Sequence, residues 1–155
     1  MASSADGAEP LSYVAPSPGL FAGWRALYDA YGESVGDSVD DVIARNVWSW
    51  IMNGTHGLGA FIALAGDVPI GFTHYRPFPR TLHGNEACYL DDLYVDPGYR
   101  GRGVAEQLIR RVCDVARRKG WTEVRWVTGA DNVVAQRLYE RMASRMGLLT
   151  YRIRF

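Results

Sequence analysis

Lysine and cysteine are scarce in this chain. Lys119 is the single lysine among the 17 basic residues, so the Gly-Lys-Ser/Thr phosphate loop of nucleoside triphosphatases is excluded. The two cysteines, Cys88 and Cys113, give neither a disulfide framework nor a metal-ligand spacing. We therefore expect both thiols to be packing residues of a cytoplasmic protein that binds no metal.

Long apolar runs are also missing, at the amino terminus in particular. Residues 1–10 are small and mostly polar and begin without a basic cluster, which is not the pattern of a signal peptide or membrane anchor. We expect a disordered tail there and no membrane partner. The 155-residue length suits one domain with a sizeable core, over residues 11–155.

Net charge is zero, but the two signs are unevenly distributed. Residues 1–96 carry twelve acidic and four basic residues, whereas residues 97–155 carry five acidic and thirteen basic ones. A basic half suits a polyanionic ligand, and an acidic half attracts a cation. Solvated ion pairs explain the same asymmetry, and nothing in it requires a nucleic-acid partner.

Hydrophobic spacing and turn residues predict an α/β protein. We expect helices over residues 19–31, 42–51, 104–119 and 133–142 and strands over residues 58–65, 69–75, 87–95, 122–128 and 150–155. Gly32 and Gly54 are expected to end the first two helices, Ser38 to cap the second, and residues 76–86 to form a loop. This order predicts a mixed central sheet with helices on its faces.

The most informative motif lies between the strand 87–95 and the helix 104–119, and reads Arg100, Gly101, Arg102, Gly103, Val104, Ala105. Glycine adopts left-handed backbone angles, so several N–H groups can converge on one anion at the positive end of a helix. Glu106 stands where a dinucleotide-binding fingerprint needs its third glycine. The motif predicts a pyrophosphate cradle, with a plain turn as the alternative.

Two motifs resemble those of the GCN5-related N-acetyltransferase (GNAT) superfamily. Arg100, Gly103 and Ala105 are similar to its Gln/Arg-x-x-Gly-x-Gly/Ala signature. The Asn-x-x-Ala-x-x-Leu-Tyr-Glu helix of the family is similar to Asn132, Ala135, Leu138, Tyr139 and Glu140. The resemblance covers residues 58–155 and implies the GNAT fold, in which the middle strands of a mixed sheet splay apart between helices on both faces.

Acetyl-CoA is the co-substrate that this resemblance implies. By analogy with the family, the backbone of Leu93, Tyr94 and Val95 would pair with the pantetheine arm. Arg100 and the run Gly101, Arg102, Gly103, Val104, Ala105 and Glu106 would hold the pyrophosphate. Asn132 would contact the pantetheine chain, cap its helix, or do both. Tyr139 falls at the position of the family's general acid, where a packing role is the alternative.

The segment from Tyr89 to Val95 resembles the corresponding strand of diamine (spermidine/spermine-type) acetyltransferases and of small histone, polyamine or amino-acid acetyltransferases. Asp91 stands where those proteins carry Glu. Adjacent acids in an apolar strand are costly unless satisfied, so we expect one to face a cleft. Asp91 is assigned as base or ammonium anchor, with Asp92 as its substitute. A plain ion pair with an arginine is the alternative.

Alternation along a strand predicts that Asp91, Leu93 and Val95 share one face and that Asp92 and Tyr94 share the other.

The acceptor side carries weaker signals. Tyr28, Tyr31 and Glu33 end the first predicted helix, in the region that shapes the acceptor site of the family, although aromatics there also suit a core. His74 and His83 are candidates for a proton relay.

Together these features predict direct acetyl transfer to a primary amine of a small molecule of polyamine or amino-acid type. A protein lysine or N-terminal acetyltransferase and a non-catalytic acyl-CoA-binding module are the alternatives. A homodimer is expected, because the resemblance implies dimerisation through C-terminal strands. The apolar row Tyr151, Ile153 and Phe155 suits either that role or the domain's own core.

Overall fold

A computed structural model describes residues 9–155. The expected tail therefore lies almost wholly outside the described residues, and of its last members Pro10 already accepts a backbone hydrogen bond from Gly66. The elements, in chain order, are β1 (Leu11–Val14), α1 (Phe21–Ser34), α2 (Asp41–Asn53), β2 (Gly59–Ala65), β3 (Val68–Arg80), β4 (Asn85–Val95), α3 (Val104–Lys119), β5 (Val124–Arg125) and α4 (Val133–Met142).

The sheet has the order β1-β2-β3-β4-β5 and is mixed. Strands β1 to β4 pair antiparallel, whereas β5 pairs parallel with β4 through only two residue pairs, Cys88↔Val124 and Tyr89↔Arg125. Strand β5 ends at Arg125, opposite Tyr89, so among the described residues no strand pairs with the second half of β4 on the β5 side. An open edge at this position is what the predicted splay of the middle strands requires.

Helices cover both faces of the sheet. On one face, α1 and α2 pack Trp24, Leu27 and Ala44 against Phe72 and Tyr94 of the sheet. On the other face, the apolar stripe of α3 packs against the opposite side of the same strands, through Val104, Leu108, Ile109, Val112 and Ala116. The predicted α/β class and its two-sided helical cover are therefore confirmed.

The predicted loop over residues 76–86 is wrong for most of its length. Strand β3 continues through Pro77 and Pro79 to Arg80, and the turn occupies only residues 81–84. The prolines are tolerated because the pairing of β3 with β2 stops at Tyr75, opposite Gly59. Beyond Tyr75, β3 has β4 as its one strand neighbour, so on the other side no hydrogen bond is lost where proline lacks an N–H.

Two helix ends also differ from prediction, and a third agrees with it. Helix α1 passes through Gly32 to Ser34, because Gly32 is a packing position where a Cβ would lie 3.0 Å from Val39. The N-cap of α2 is Asp40 rather than Ser38, since its carboxylate accepts from the Ile43 N–H at 2.8 Å. Gly54 ends α2 in the left-handed conformation as predicted.

The strands at the two ends of the chain were predicted least well. Strand β1 was not expected, and β5 is two residues long rather than seven. The predicted strand over residues 150–155 is wrong: this segment has no regular structure, and its apolar side chains are exposed. Alternation predicts which side chains share a face, but a strand also needs a partner, and no strand within residues 9–155 pairs with this segment.

Over residues 9–155, no helix is both long enough and apolar enough to span a membrane.

Candidate active site

A β-bulge in β4 brings the two adjacent carboxylates into one pocket. His74 pairs with Asp92 and Tyr75 pairs with Leu90, so Asp91 is the extra residue without a partner across the ladder. The predicted alternation, which put Asp91 and Asp92 on opposite faces, is therefore wrong. Because the bulge shifts the side-chain parity, both acids line the pocket on the α1–α2 side of the sheet.

This pocket has a volume of about 560 Å³ and lies between α1, α2 and the middle of the sheet. We call it the acidic pocket, defined by its lining residues Tyr28, Val47, Trp50, His56, Leu58, His74, Arg76, Pro77, Asp91 and Asp92. Its walls combine aromatic and aliphatic surface with two carboxylates and one guanidinium. Such walls suit a small organic cation that carries an apolar chain.

Asp91 forms an ion pair with Arg76, whose Nε lies 3.0 Å from the Asp91 Oδ2. Burial raises the pKa of Asp91 above its usual value, and the nearby Arg76 guanidinium opposes that shift. The Arg76 guanidinium also lies over the ring of Tyr89, 5.1 Å from its centroid. Asp91 is thus a half-buried carboxylate whose affinity for a proton is increased by its surroundings.

Asp92 contacts His74, whose Nδ1 lies 2.8 Å from the Asp92 Oδ2. Its backbone carbonyl accepts a hydrogen bond from the Thr73 hydroxyl at 2.9 Å. Both partners are buried on β3, so they fix this part of β4 against its neighbour. Of the two candidate relay histidines, the structure places His74 at the site, while His83 lies exposed in the β3–β4 turn.

Of the three predicted acceptor residues, only Tyr28 lines the acidic pocket. Burial, with a smaller contribution from Asp92, raises the pKa of Tyr28 to about 12, so its hydroxyl stays protonated. Tyr31 stacks behind Tyr28 with ring centroids 6.4 Å apart, and Glu33 is exposed near the end of α1, away from the pocket.

Sequence reasoning assigned no acceptor role to Arg76, Trp50 or His56, which line the same pocket. Arg76 had a detectable signal, since it is one of only four basic residues in the acidic first 96 residues. Trp50 and His56 gave no such signal, because their proximity depends on the left-handed turn that ends α2.

The predicted pyrophosphate cradle has the required backbone geometry. Gly101 and Gly103 have φ of +76° and +77°, and a Cβ on either would meet no atom within 4 Å, so the space above the loop is open. Gly103 is the N-cap of the 16-residue α3 and supplies no side-chain cap. The first N–H groups of α3, on Val104, Ala105 and Glu106, are therefore available to an anion.

Side chains around the cradle add positive charge. The Arg100 Nε donates to the Val95 carbonyl at 3.0 Å, which ties the loop to the end of β4. The Arg102 guanidinium lies over the Tyr99 ring, 5.2 Å from its centroid, and the residue is exposed. Glu106 is paired with Arg110 at 2.7 Å, so its carboxylate at the helix start is compensated. The loop and helix therefore fit a diphosphate group.

The open edge of β4 adjoins this cradle. Leu93, Tyr94 and Val95 pair with β3 on one side only, and Tyr94 and Val95 are buried while Leu93 is partly buried. Their backbone therefore offers a pairing edge that leads from the acids to the phosphate loop. An extended ligand chain can lie along such an edge like an added strand.

Helix α4 carries the second predicted motif. The Asn132 Oδ1 accepts from the Ala135 N–H at 3.3 Å, so the capping role of Asn132 is confirmed. Tyr139 packs edge-on against Trp126 at 5.4 Å, in the apolar cluster on the α3 face of the sheet. Burial raises the pKa of Tyr139, so its hydroxyl holds its proton at neutral pH.

Comparison with known proteins agrees with this arrangement. A sequence profile described as "Acetyltransferase (GNAT) family" matches residues 23–143. The chain therefore belongs to the GNAT acetyltransferase family.

Among curated relatives, a D-amino-acid N-acetyltransferase of Saccharomyces cerevisiae is 38% identical over 96 residues, which is 62% of this chain and 59% of that protein. A thialysine N-epsilon-acetyltransferase of Sus scrofa is 34% identical over 80 residues, 52% of this chain and 46% of that protein. The chain thus spans about half the length of the curated relatives it matches.

Solved structures share the fold. An aminoglycoside N-acetyltransferase, AAC(6')-Iy, in complex with CoA superposes with a TM-score of 0.81 at 24% identity, covering 95% of this chain and 97% of that one. A ribosomal-protein-alanine N-acetyltransferase from Brucella melitensis biovar Abortus 2308 gives a TM-score of 0.77 at 21% identity, covering 94% and 100%. The GNAT fold is therefore shared along nearly the whole chain.

Proposed function

We propose that the protein transfers the acetyl group of acetyl-CoA to a primary amine of a small molecule, of polyamine or amino-acid type, by direct attack in a ternary complex. The observation that carries this proposal is the juxtaposition of the acidic pocket with the open edge of β4 and the phosphate cradle. Residues 11–155 would act as one catalytic domain.

Cofactor binding is the first step. Gly101, Gly103 and the start of α3 hold the pyrophosphate, and Arg100 and Arg102 add charge to the same region. The backbone of residues 93–95 would pair with the pantetheine arm, and Asn132 would contact the same chain. Acetyl-CoA supplies the activated thioester. The chain's own groups bind it, orient it and exclude water.

Proton transfer is the second step. The acceptor enters as an ammonium ion and is bound by carboxylate and aromatic faces in the acidic pocket. Asp91 takes the proton from the amine, because burial raises the pKa of this carboxyl toward the range of a useful base. Asp92 remains as a second negative group beside it. The free amine then attacks the thioester carbonyl, and the C–S bond breaks. Tyr139, still protonated at neutral pH, gives its proton to the departing thiolate of CoA. The second proton of the attacking nitrogen is lost to solvent, and Asp91 and Tyr139 return to their starting protonation states by exchange with solvent.

Arg76 favours the amino-acid type of acceptor over the polyamine type. Within the acidic pocket one carboxylate is already paired with this guanidinium, which leaves less unpaired negative charge than several ammonium groups need. The guanidinium remains 40% exposed and has further N–H groups for a substrate carboxylate. An acceptor with one amine and one carboxylate therefore matches the pocket in charge. Relatives that act on a D-amino acid and on thialysine support this choice.

The assembly and cellular location are proposed with it. Tyr151 and Ile153 are 86% and 83% exposed in a segment without regular structure. The preceding strand, β5, is only two residues long. A second copy of the chain, offering the same segment, would cover this apolar row and form a homodimer. A cytoplasmic location is supported by the free thiols of Cys88 and Cys113.

The test is the amine-dependent release of CoA from acetyl-CoA, with a panel of polyamines, amino acids and a basic peptide. Tyr139→Phe should lower kcat by about 10²-fold because it removes a general acid, while acetyl-CoA binding is retained. Tyr13→Phe on the edge strand β1 is the matched control and should keep wild-type kcat. A protein that binds acetyl-CoA and acetylates no amine in the panel would contradict a small-molecule acetyltransferase, and acetylation of the peptide alone would favour a protein substrate.

A further inference from the structure

Three side chains from three elements form a hydrogen-bonded chain that ends in the acidic pocket. The indole Nε1 of Trp24 on α1 lies 2.9 Å from the Nε2 of His74 on β3. The Nδ1 of His74 then lies 2.8 Å from the Oδ2 of Asp92 on β4. Trp24 and His74 are 0% and 1% exposed, so the first two members of the chain are fully buried.

The chemistry of the indole fixes where the proton of His74 resides. An indole nitrogen only donates, so the His74 Nε2 has to accept and cannot carry a hydrogen. The single N–H of the neutral imidazole is therefore on Nδ1, where it donates to the Asp92 carboxylate.

The surroundings of His74 hold the ring in this position from both sides. Its ring lies edge-on to Tyr28 at 5.4 Å and beside Phe72 at 4.7 Å. Asp92, at the far end, keeps 24% of its side chain exposed in the pocket while one oxygen is held by the imidazole. The carboxylate is therefore accessible to a ligand and fixed in direction.

This arrangement differs from that of Asp91, whose partner is a partly exposed guanidinium. The adjacent acids thus have unlike partners. Asp91 is paired with a guanidinium that lowers its pKa, and Asp92 is held by an imidazole nitrogen that fixes its orientation. A fixed, oriented carboxylate is what the binding of one ammonium group in one pose requires.

We propose that Trp24 and His74 are positioning residues that hold Asp92 as the anchor for the ammonium group of the acceptor. The inference rests on the proposed function, since it assigns a role to Asp92 in the same pocket. Trp24 sets the tautomer of His74, and His74 sets the direction of Asp92. Asp91 then remains free to take the proton.

The tautomer is tested directly on the intact protein by correlating the ring nitrogens and ring protons of His74 in a ¹⁵N-labelled sample near neutral pH. We expect a hydrogen on Nδ1 and none on Nε2. In Trp24→Phe, which removes the indole donor, the Nε2 should become able to carry a hydrogen, and its nitrogen shift should move accordingly. A hydrogen on Nε2 in the wild-type protein would overturn the inference.

The positioning role is tested with two isosteres of His74. The amide nitrogen of asparagine takes the place of Nδ1, so His74→Asn keeps a donor for Asp92. The amide of glutamine reaches the place of Nε2, so His74→Gln keeps an acceptor for Trp24 and loses the donor to Asp92. The pair therefore separates the two hydrogen bonds, and thermal unfolding of both variants shows whether each is folded.

We expect His74→Gln to raise the KM of the amine about tenfold or more, with a smaller effect on kcat, and His74→Asn to stay near the wild-type KM. The KM of acetyl-CoA should be unchanged in both folded variants. Equal amine KM values in the two variants would contradict the positioning role. A wild-type protein that acetylates no amine would instead overturn the proposed function, while the NMR result would still report on the tautomer.

Discussion

Arg76 Nε lies 3.0 Å from Asp91 Oδ2, and both groups line the same pocket. The bulge of β4 creates this contact, because without the extra residue the Asp91 side chain would lie on the other face of the sheet. The contact links the ionisation of the proposed base to a residue on the neighbouring strand.

The pH dependence of catalysis should report this link. Burial raises the pKa of Asp91, and Arg76 lowers it. A base has to be deprotonated, so kcat/KM rises with pH through that pKa. Arg76→Gln removes the lowering influence, so the acidic limb of the profile should move to higher pH.

The measurement is kcat/KM against pH with an amine that has no carboxylate, so that ligand binding by Arg76 does not contribute. Arg80→Gln is the matched control, since Arg80 lies on the same strand and pairs with Glu123 at 3.6 Å instead. A limb that stays in place or moves to lower pH in Arg76→Gln would rule out Asp91 as the titrating base.

Substrate pairs that differ only by a carboxylate should reveal a second role of Arg76. Lysine and cadaverine, or ornithine and putrescine, form such pairs. If Arg76 binds the carboxylate, Arg76→Gln should raise the KM of the amino acid about tenfold relative to its effect on the diamine. Parallel changes for both members of a pair would mean that the guanidinium does not contact the acceptor's carboxylate.

The cradle predicts a specific loss at Gly103. Gly103→Ala places a Cβ on a residue with φ of +77°, which costs about 1–2 kcal/mol of stability and distorts the start of α3. Gly36→Ala is a matched control, because Gly36 has φ of +75° and equally open surroundings but lies far along the chain from α3.

Both variants should lose similar stability in thermal unfolding, whereas only Gly103→Ala should weaken CoA binding. Calorimetric titration with CoA measures the second effect. An equal loss of CoA affinity in both variants would show that the effect comes from general destabilisation rather than from the cradle.

The carboxyl-terminal segment should determine the oligomeric state. Replacement of Tyr151, Ile153 and Phe155 by serine removes the apolar row that we propose to lie between two copies. We expect light scattering to give a dimer for the wild-type protein and a monomer for the triple variant. Val133→Ser with Val134→Ser, which changes exposed side chains on α4, is the control and should remain dimeric. A monomeric wild-type protein would contradict the homodimer.

Local signals predicted much of this fold. The sequence located the bounds of α3 and α4 to the residue. Each helix has an apolar stripe on one side, and residues at its ends favour termination or capping: Gly120 ends α3, and Asn132 caps α4. The left-handed backbone of Gly101 and Gly103 was also predictable, since a glycine turn before a helix depends on local sequence alone.

Pairing between distant segments was harder to predict. Strand alternation placed Asp91 and Asp92 on opposite faces because a bulge depends on the register with β3, which no local pattern carries. Arg76 precedes Pro77 and Pro79, which suggested a loop, although a strand with only one neighbour accepts prolines. The alternating residues 150–155 show the converse: the pattern of a strand is present, but the part of the chain that the structure describes pairs no strand with it.

The residues that we propose to bind the two ligands lie on opposite sides of one point in the sequence. Every lining residue of the acidic pocket lies between Tyr28 and Asp92, whereas the open edge of β4, the cradle and Tyr139 all follow from residue 93 onward. The acidic and basic halves of the sequence meet at almost the same place. A single recombination between relatives within β4 would therefore exchange one ligand preference while keeping the other. In evolutionary terms, the choice of acceptor can diversify without disturbing the acetyl donor.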